Sequence, residues 1–351
     1  MGHGGDIYRN RVDLDFSVNL NPAPVPEAVR QAIRAGIRDA CAYPDPEQEK
    51  VRTAIAKADG VKAENVFAGN GASELILAAV RAVSPKKAVL MEPCYLGYSY
   101  ALQSLSDCEI IRVQLDRKNG FSLTGKECED MDLGTGMLFL TDPWNPSGGN
   151  IPDTVLLSVL ERAEERGNAV LLDQSFLFLS DKGAAYQNPG AAGAADLIRR
   201  FENLMILRSY TKLFSLPGIR MGYILAREDM IGRIRRQLPE WNLSSPSGSA
   251  MEACASLLSN GETVFNCLKN AEERAYLSDA LKKLGCAVYP SDTIYILFEA
   301  DPDLYHKLLQ RGILIRDCSD YNGLGRGYFR VAVKDHASNS TLIRTMEQIL
   351  S

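Results

Sequence analysis

Between residues 65 and 226 the chain alternates short strand-like runs, several of them nearly continuously apolar, with longer helical stretches. The runs fall at 65–68, 87–92, 109–114, 135–141, 169–173, 204–209 and 222–226. A strand that is apolar at almost every position has both faces buried, which is the condition of a parallel sheet covered by helices on each side. Helical spacing at 72–83, 152–166 and 191–201 fills the gaps between runs. The alternation predicts an α/β domain of three layers, α/β/α, around a mainly parallel seven-stranded sheet.

The flanks read differently. Residues 1–22 are polar and Asn-rich and predict an extended arm. Helical spacing follows at 25–39, Tyr43-Pro44-Asp45-Pro46-Glu47 breaks it, and a second helix is expected over 46–58. Residues 228–282 are mostly helical, with breaks near Pro239 and Pro246. Short strands at 287–289, 294–298, 313–316 and 328–333, with helices at 301–310 and 337–350, predict a smaller α+β domain. The expected division is an arm and helix over 1–45 that pack with the small domain, a large domain over 46–240, and the small domain over 241–351.

Composition narrows the class. The 351 residues are 46% hydrophobic and 24% charged, ordinary globular values. With 39 Lys+Arg against 44 Asp+Glu the net charge is −5, which argues against a nucleic-acid partner. No apolar run approaches the ~18 residues of a membrane span, and the N-terminus lacks the apolar core of a signal peptide, so a cytoplasmic enzyme without a membrane partner is expected. The eight cysteines (41, 94, 108, 128, 254, 267, 286 and 318) form no C-x-x-C, and with three histidines no metal site is expected.

Four places carry candidate chemistry. Gly69-Asn70-Gly71-Ala72-Ser73-Glu74 follows a strand and opens a helix. Its glycines let backbone N–H groups approach an oxyanion, although a plain turn would read the same way. Ser209-Tyr210-Thr211-Lys212 follows another strand, with Arg220 eight residues on. A partly desolvated lysine can form a Schiff base, and Ser209, Thr211 and Arg220 can hold a phosphate; a solvated surface lysine is the alternative. Asp173 closes an apolar run, where a carboxylate needs a partner such as a protonated pyridine nitrogen. Arg330 lies within the apolar Tyr328-Phe329-Arg330-Val331-Ala332 and calls for an anion, either a substrate carboxylate or a structural Asp or Glu. Asn145, in Asn145-Pro146-Ser147-Gly148, and Tyr95, in Pro93-Cys94-Tyr95, are compatible with a site or with a turn and a core.

In this order and spacing the chain resembles fold-type I pyridoxal-phosphate (PLP) enzymes of the class I/II aminotransferase superfamily, along its whole length. The resemblance implies that the large domain binds PLP and that Lys212 carries the cofactor covalently. It assigns Ser209 and Arg220, with the Gly71, Ala72 and Ser73 turn, to the cofactor phosphate, beside Thr211 as read above. It assigns Tyr95 to stacking on the ring, Asn145 to the ring hydroxyl and Asp173 to the ring nitrogen. Arg330 becomes the ligand of a substrate carboxylate. Tyr43, in its Y-P-D-P-E stretch, is implied to reach the phosphate of a partner subunit, hence a homodimer.

Two branches of the superfamily share these motifs. The arm (His3 to Tyr8 and Leu14 to Pro22) and Ile315-Arg316-Asp317-Cys318-Ser319 are similar to L-threonine-O-3-phosphate decarboxylases of cobalamin biosynthesis. Histidinol-phosphate aminotransferases are the second branch. Either implies a small phosphorylated amino compound as substrate, with His3, Asn19 and Arg316 beside Arg330. The chain departs from the superfamily pattern at Trp144, Gln174, Phe176 and Ile294. Phe176 lacks the hydroxyl that a tyrosine would offer the cofactor, and Ile294 replaces an asparagine expected near substrate. A divergent member acting on another phosphorylated or phosphonate amino acid would account for such changes.

Overall fold

The computed structural model describes residues 4–128, 136–185 and 193–350. In chain order its strands are β1 (Leu14–Asp15), β2 (Val66–Asn70), β3 (Lys87–Glu92), β4 (Glu109–Gln114), β5 (Met137–Thr141), β6 (Ala169–Asp173) and β7 (Leu204–Ser209). They continue with β8 (Met221–Leu225), β9 (Ala287–Val288), β10 (Tyr295–Glu299), β11 (Ile313–Leu314), β12 (Arg316–Asp317) and β13 (Tyr328–Ala332).

Seven of them form the main sheet, in the order β2-β8-β7-β6-β5-β3-β4. Pairing is parallel from β7 across to β4, and β8 alone runs antiparallel to both its neighbours. The α/β expectation is met, and the reason is visible in the side chains. Along β5 to β8 alternate residues enter two different cores. Leu138, Leu140, Val170, Leu172, Leu204 and Ile206 pack on one face. Phe139, Leu171, Met205, Leu207 and Ile224 pack on the other. Helices cover each face, so no polar alternation is needed on the central strands.

A second sheet, β12-β13-β10-β9, is antiparallel and has its own core around Ile296, Phe298, Phe329 and Val331. The arm joins this part of the molecule. β1 pairs in parallel with β11, and Phe16 is fully buried in the small core, a contribution of about 1.5–3 kcal/mol. The helix Glu27–Arg38 packs on Ser245–Ser259, which begins the helical C-terminal part.

Three expectations change in detail. The run 313–316 is two strands, β11 and β12, that serve different sheets. Pro246 does not break a helix; it lies in the first turn of Ser245–Ser259, where a missing N–H costs nothing. The short helices Leu96–Leu102 and Tyr210–Leu213 carry no strong periodic signal and were not expected. Residue 135 of the fourth run and residues 191–192 of the helical stretch 191–201 lie outside the described residues. No described helix is long and apolar enough to cross a membrane.

Candidate active site

Parallel strands all end on one edge of the sheet, and their carboxyl ends open there onto a crevice. β6 delivers Asp173 to that edge, β7 delivers Ser209, and the turn after β2 delivers Ala72 and Ser73. The reversed β8 explains the spacing of Lys212 and Arg220. The chain leaves β7, makes one helical turn at Tyr210–Leu213 and loops back, so that Arg220 enters β8 on the same edge. A cavity of about 270 Å³ occupies the crevice.

The floor of the cavity is built from these strand ends. Lys212 and Ser209, Thr211 and Arg220 line it. Ser209 caps the short helix by accepting from the Thr211 N–H at 3.2 Å, and both hydroxyls donate to the Met221 carbonyl, at 2.8 and 3.0 Å. Burial, followed by the positive charges of Arg330 and Arg220, lowers the Lys212 amine to about 8. Gly71 has φ +86°, a conformation that favours glycine, and a Cβ there would stand 2.6 Å from the Arg220 guanidinium and push it aside. The helix Ala72–Val83 opens beside it without a side-chain cap. Its free N–H groups, the Ser209 hydroxyl and Arg220 form a cradle of the kind that holds a phosphate.

Asp173 is buried and receives hydrogen bonds from the Ser175 N–H and the Tyr98 hydroxyl, each at 2.8 Å. Burial nevertheless raises it above the ordinary carboxylate range. Thr141 Oγ1 meets the Tyr98 hydroxyl at 2.9 Å. A cation on the cavity side of Asp173 would restore its ionised form. The Tyr95 ring stands edge-on to Tyr98 and its hydroxyl lies 3.4 Å from Ser73 Oγ. These groups fit PLP: a cradle for phosphate, an amine with a lowered proton affinity, an aromatic face, and a buried carboxylate lacking a cation.

The opposite wall comes from the small sheet and the arm. Arg316 on β12 and Arg330 on β13 are direct cross-strand partners, and both line the cavity. Arg330 donates to Asn145 Oδ1, lies over the Tyr295 ring at 5.2 Å, and has a buried Nε with no partner. Arg316 donates through Nη2 to both oxygens of Asp320, at 2.7 and 2.9 Å, and through Nη1 to the Asp317 carbonyl at 2.6 Å. Asn19 of the arm is buried at the cavity with its Oδ1 unpartnered.

The structure thus brings together Ala72, Ser73, Tyr95, Asn145, Asp173, Ser209, Thr211, Lys212, Arg220, Asn19, Arg316 and Arg330. Gly71 backs the cavity through Arg220 without lining it. Tyr43 faces away from it, 81% exposed and packed on Trp241 with ring centroids 4.7 Å apart. His3 lies outside the described residues.

The departures from the superfamily pattern are spread over different places. Phe176 lines the cavity with its ring edge-on to Tyr295. Ile294 does not; it is fully buried in the core. Trp144 is buried and donates to the Pro93 carbonyl at 2.8 Å. Gln174 accepts from Arg208 at 2.8 and 3.0 Å, in a buried network where Arg208 also pairs with Asp59. Sequence reasoning missed Tyr98 and Tyr321. Tyr98 stands three residues after Tyr95, a helical spacing that could have raised it. Tyr321 lines the cavity between the two arginines from a loop that gives no local signal.

The family model for aminotransferase class I and II matches residues 11–346. A threonine-phosphate decarboxylase of Salmonella typhimurium is 31% identical, over 99% of this chain and 96% of its own length. A histidinol-phosphate aminotransferase of Thermoanaerobacter pseudethanolicus is 30% identical, over 98% of this chain and 93% of its own. Among solved structures, the histidinol-phosphate aminotransferase from Clostridium acetobutylicum superimposes with a TM-score of 0.83 at 25% identity, over 96% of this chain and 99% of that one. Over its length and at its site, the chain belongs to the class I and II aminotransferases, PLP-dependent enzymes that include decarboxylases as well as aminotransferases.

Proposed function

We propose that this enzyme decarboxylates a small phosphorylated amino acid, L-threonine-O-3-phosphate or a close analogue. The carrying observation is the cross-strand pair Arg316 and Arg330, which sets two guanidinium groups on one wall of the cavity. Such a substrate brings two anionic groups, a carboxylate and a phosphate. Histidinol phosphate brings only one. The full-length likeness to the Salmonella protein supports the same reading. Transamination is the second reading, favoured by the likeness to histidinol-phosphate aminotransferases. An amino-group acceptor with two carboxylates would also satisfy both arginines.

PLP, when bound, supplies an electron sink for the bond that breaks at the amino-bearing carbon. Lys212 would hold the cofactor through Nζ. Its Nζ lies in the cavity and would also be the group placed to deliver or move a proton. In the cofactor-free protein burial and the charges of Arg330 and Arg220 lower its pKa to about 8, so it gives up a proton more readily than a solvated lysine. Asp173, held by Tyr98 and Ser175, would face the ring nitrogen and keep it protonated. Arg220, Ser209 and the N–H groups of Ala72 and Ser73 would anchor the phosphate, and Tyr95 would cover the ring. Arg330, braced by Asn145, would take the substrate carboxylate. The two anion anchors set the rotation about the substrate carbon, and so select whether carboxylate or hydrogen is lost.

The outward-facing Tyr43 supports a homodimer in which it reaches the cofactor phosphate of a second copy. The large unit over 46–240 and the small one over 241–351 are the proposed domains.

The test is incubation of the PLP-loaded enzyme with L-threonine phosphate and no keto acid, following CO2 release and cofactor absorbance together. Sustained CO2 release with the lysine-linked spectrum retained is expected. Conversion to the aminated cofactor without CO2, reversed by a keto acid, would establish the transaminase instead.

A further inference from the structure

Arg316 and Arg330 sit opposite each other yet are not equivalent. Among the described residues Arg330 has no carboxylate partner; it meets Asn145 and the Tyr321 hydroxyl, and its Nε is unsatisfied. Arg316 is already engaged. Its Nη2 is held by both oxygens of Asp320, and its side chain is only 6% exposed against 31% for Asp320. The aromatic ring of Tyr321 lies under Arg316, 5.3 Å from the guanidinium carbon. Behind Arg316 is a second cavity, lined by Asp6, Tyr305, Asp317, Ser319 and Asp320, which shares Gly4, Ser17 and Arg316 with the first.

We propose that Asp320 is an internal anion that occupies Arg316 when no substrate is present, and that the distal anionic group of the substrate must displace it. This rests on the reading that Arg316 receives such a group. An anion arriving at Arg316 meets a guanidinium whose charge is largely balanced and whose Nη2 hydrogens are taken. It gains the new contact but loses the old one, and it approaches a carboxylate of like charge. The second cavity gives the displaced side chain a place to go, and its exposure lets water take over its hydrogen bonds. When the product leaves, the Asp320 carboxylate returns. Asp320 acts through Arg316 and is a positioning residue: it weakens the hold on an anion that substrate and product share, and so favours release.

The device also accounts for two arginines being tolerated side by side. Of the two wall arginines, Arg330 is the one without a carboxylate partner among the described residues, so the carboxylate end of a two-anion substrate docks there without a competitor. The other end docks by exchange. Binding at Arg330 is therefore strengthened by the empty site's own charge, whereas binding at Arg316 is buffered.

The experiment is calorimetric titration of the PLP-loaded protein with inorganic phosphate, for the wild type, Asp320→Asn and Arg316→Gln. Cofactor already fills the other phosphate cradle, and excess acetate in every titration keeps Arg330 occupied, so the phosphate signal reports Arg316. Asp320→Asn is expected to tighten phosphate about fivefold, a modest factor because the pair is partly exposed and screened. Arg316→Gln is expected to abolish the binding. Structural damage could only weaken phosphate, so tightening is a signature that disruption cannot imitate. Unchanged or weaker binding in Asp320→Asn, with loss in Arg316→Gln, overturns the internal competitor and leaves the role of Arg316 standing. Equal binding by the wild type and Arg316→Gln overturns the role of Arg316 itself. Should Asp320→Asn not fold, Asp320→Ser serves the same comparison.

Discussion

The two sides of the cavity are made in different ways. The floor is a product of the main sheet: Asp173, Ser209 and Ala72 lie at strand or helix ends within a few residues of rigid, fully buried backbone. Several of its polar groups are pinned within the protein, as with the two hydroxyls on the Met221 carbonyl and the two donors to Asp173, and what stays open, the first N–H groups of the helix Ala72–Val83 and the Ser175 Oγ, lies where a cofactor would sit. The wall is assembled from the arm, a two-residue strand and a loop, and it leaves polar atoms unpaired, at Asn19 Oδ1 and Arg330 Nε. A prebuilt floor suits a cofactor that stays. A wall with open valences suits a ligand that arrives and leaves.

That contrast predicts that floor substitutions strike turnover and wall substitutions strike substrate affinity. Lys212→Ala should remove the lysine-linked absorbance and lower kcat by about 10⁴-fold or more, read by CO2 release. Retained turnover would break the comparison at its strongest point. Asp173→Asn should lower kcat by about 10²–10³-fold with little change in substrate KM, since it touches the cofactor side only. Arg330→Gln should do the reverse, raising KM by about 100-fold through loss of a charge-assisted pair, with a smaller change in kcat.

Smaller effects sharpen the picture. Tyr98→Phe removes one donor from Asp173 and should cost about 1 kcal/mol in stability, seen as a lower melting temperature, with cofactor absorbance shifting in its pH dependence. The smallest effect concerns Lys212 in the cofactor-free protein. Its folded pKa, near 8, lies below the unfolded 10.5, so the unfolded chain holds the proton more tightly and stability rises with pH between those values. Below pH 8 the full penalty of burying the charged amine applies. The melting temperature of the wild type should therefore gain on that of Lys212→Met as pH goes from 8 towards 10; parallel curves would place the amine in solvent.

The same division governs what could be read from the sequence. β3, β6 and β7 coincide with their apolar runs, because burial on both faces writes itself into nearly every position. The floor residues lie in short contiguous motifs, so their local spacing carried them. The wall depends on register: Arg316 meets Arg330 only through the pairing of β12 with β13. Nothing near Asp320 in sequence announces that it will close on Arg316. The helix Leu96–Leu102 was missed because Gly97, Tyr98 and Tyr100 are weak helix formers held in place by tertiary packing. Ile294 taught the opposite lesson. A residue expected at the substrate turned out to serve the core.

The pairing of β1 with β11 has a consequence for how the enzyme comes into being. Leu14 leaves the ribosome long before its partner Ile313. The main sheet can close while the arm still has nothing to dock against. A nascent or truncated chain can therefore own a finished floor and still lack Asn19, Arg316 and Arg330 in their places. Competence toward substrate waits on residues 313–332, and a chain cut short before residue 313 is expected to retain affinity for cofactor while being blind to substrate.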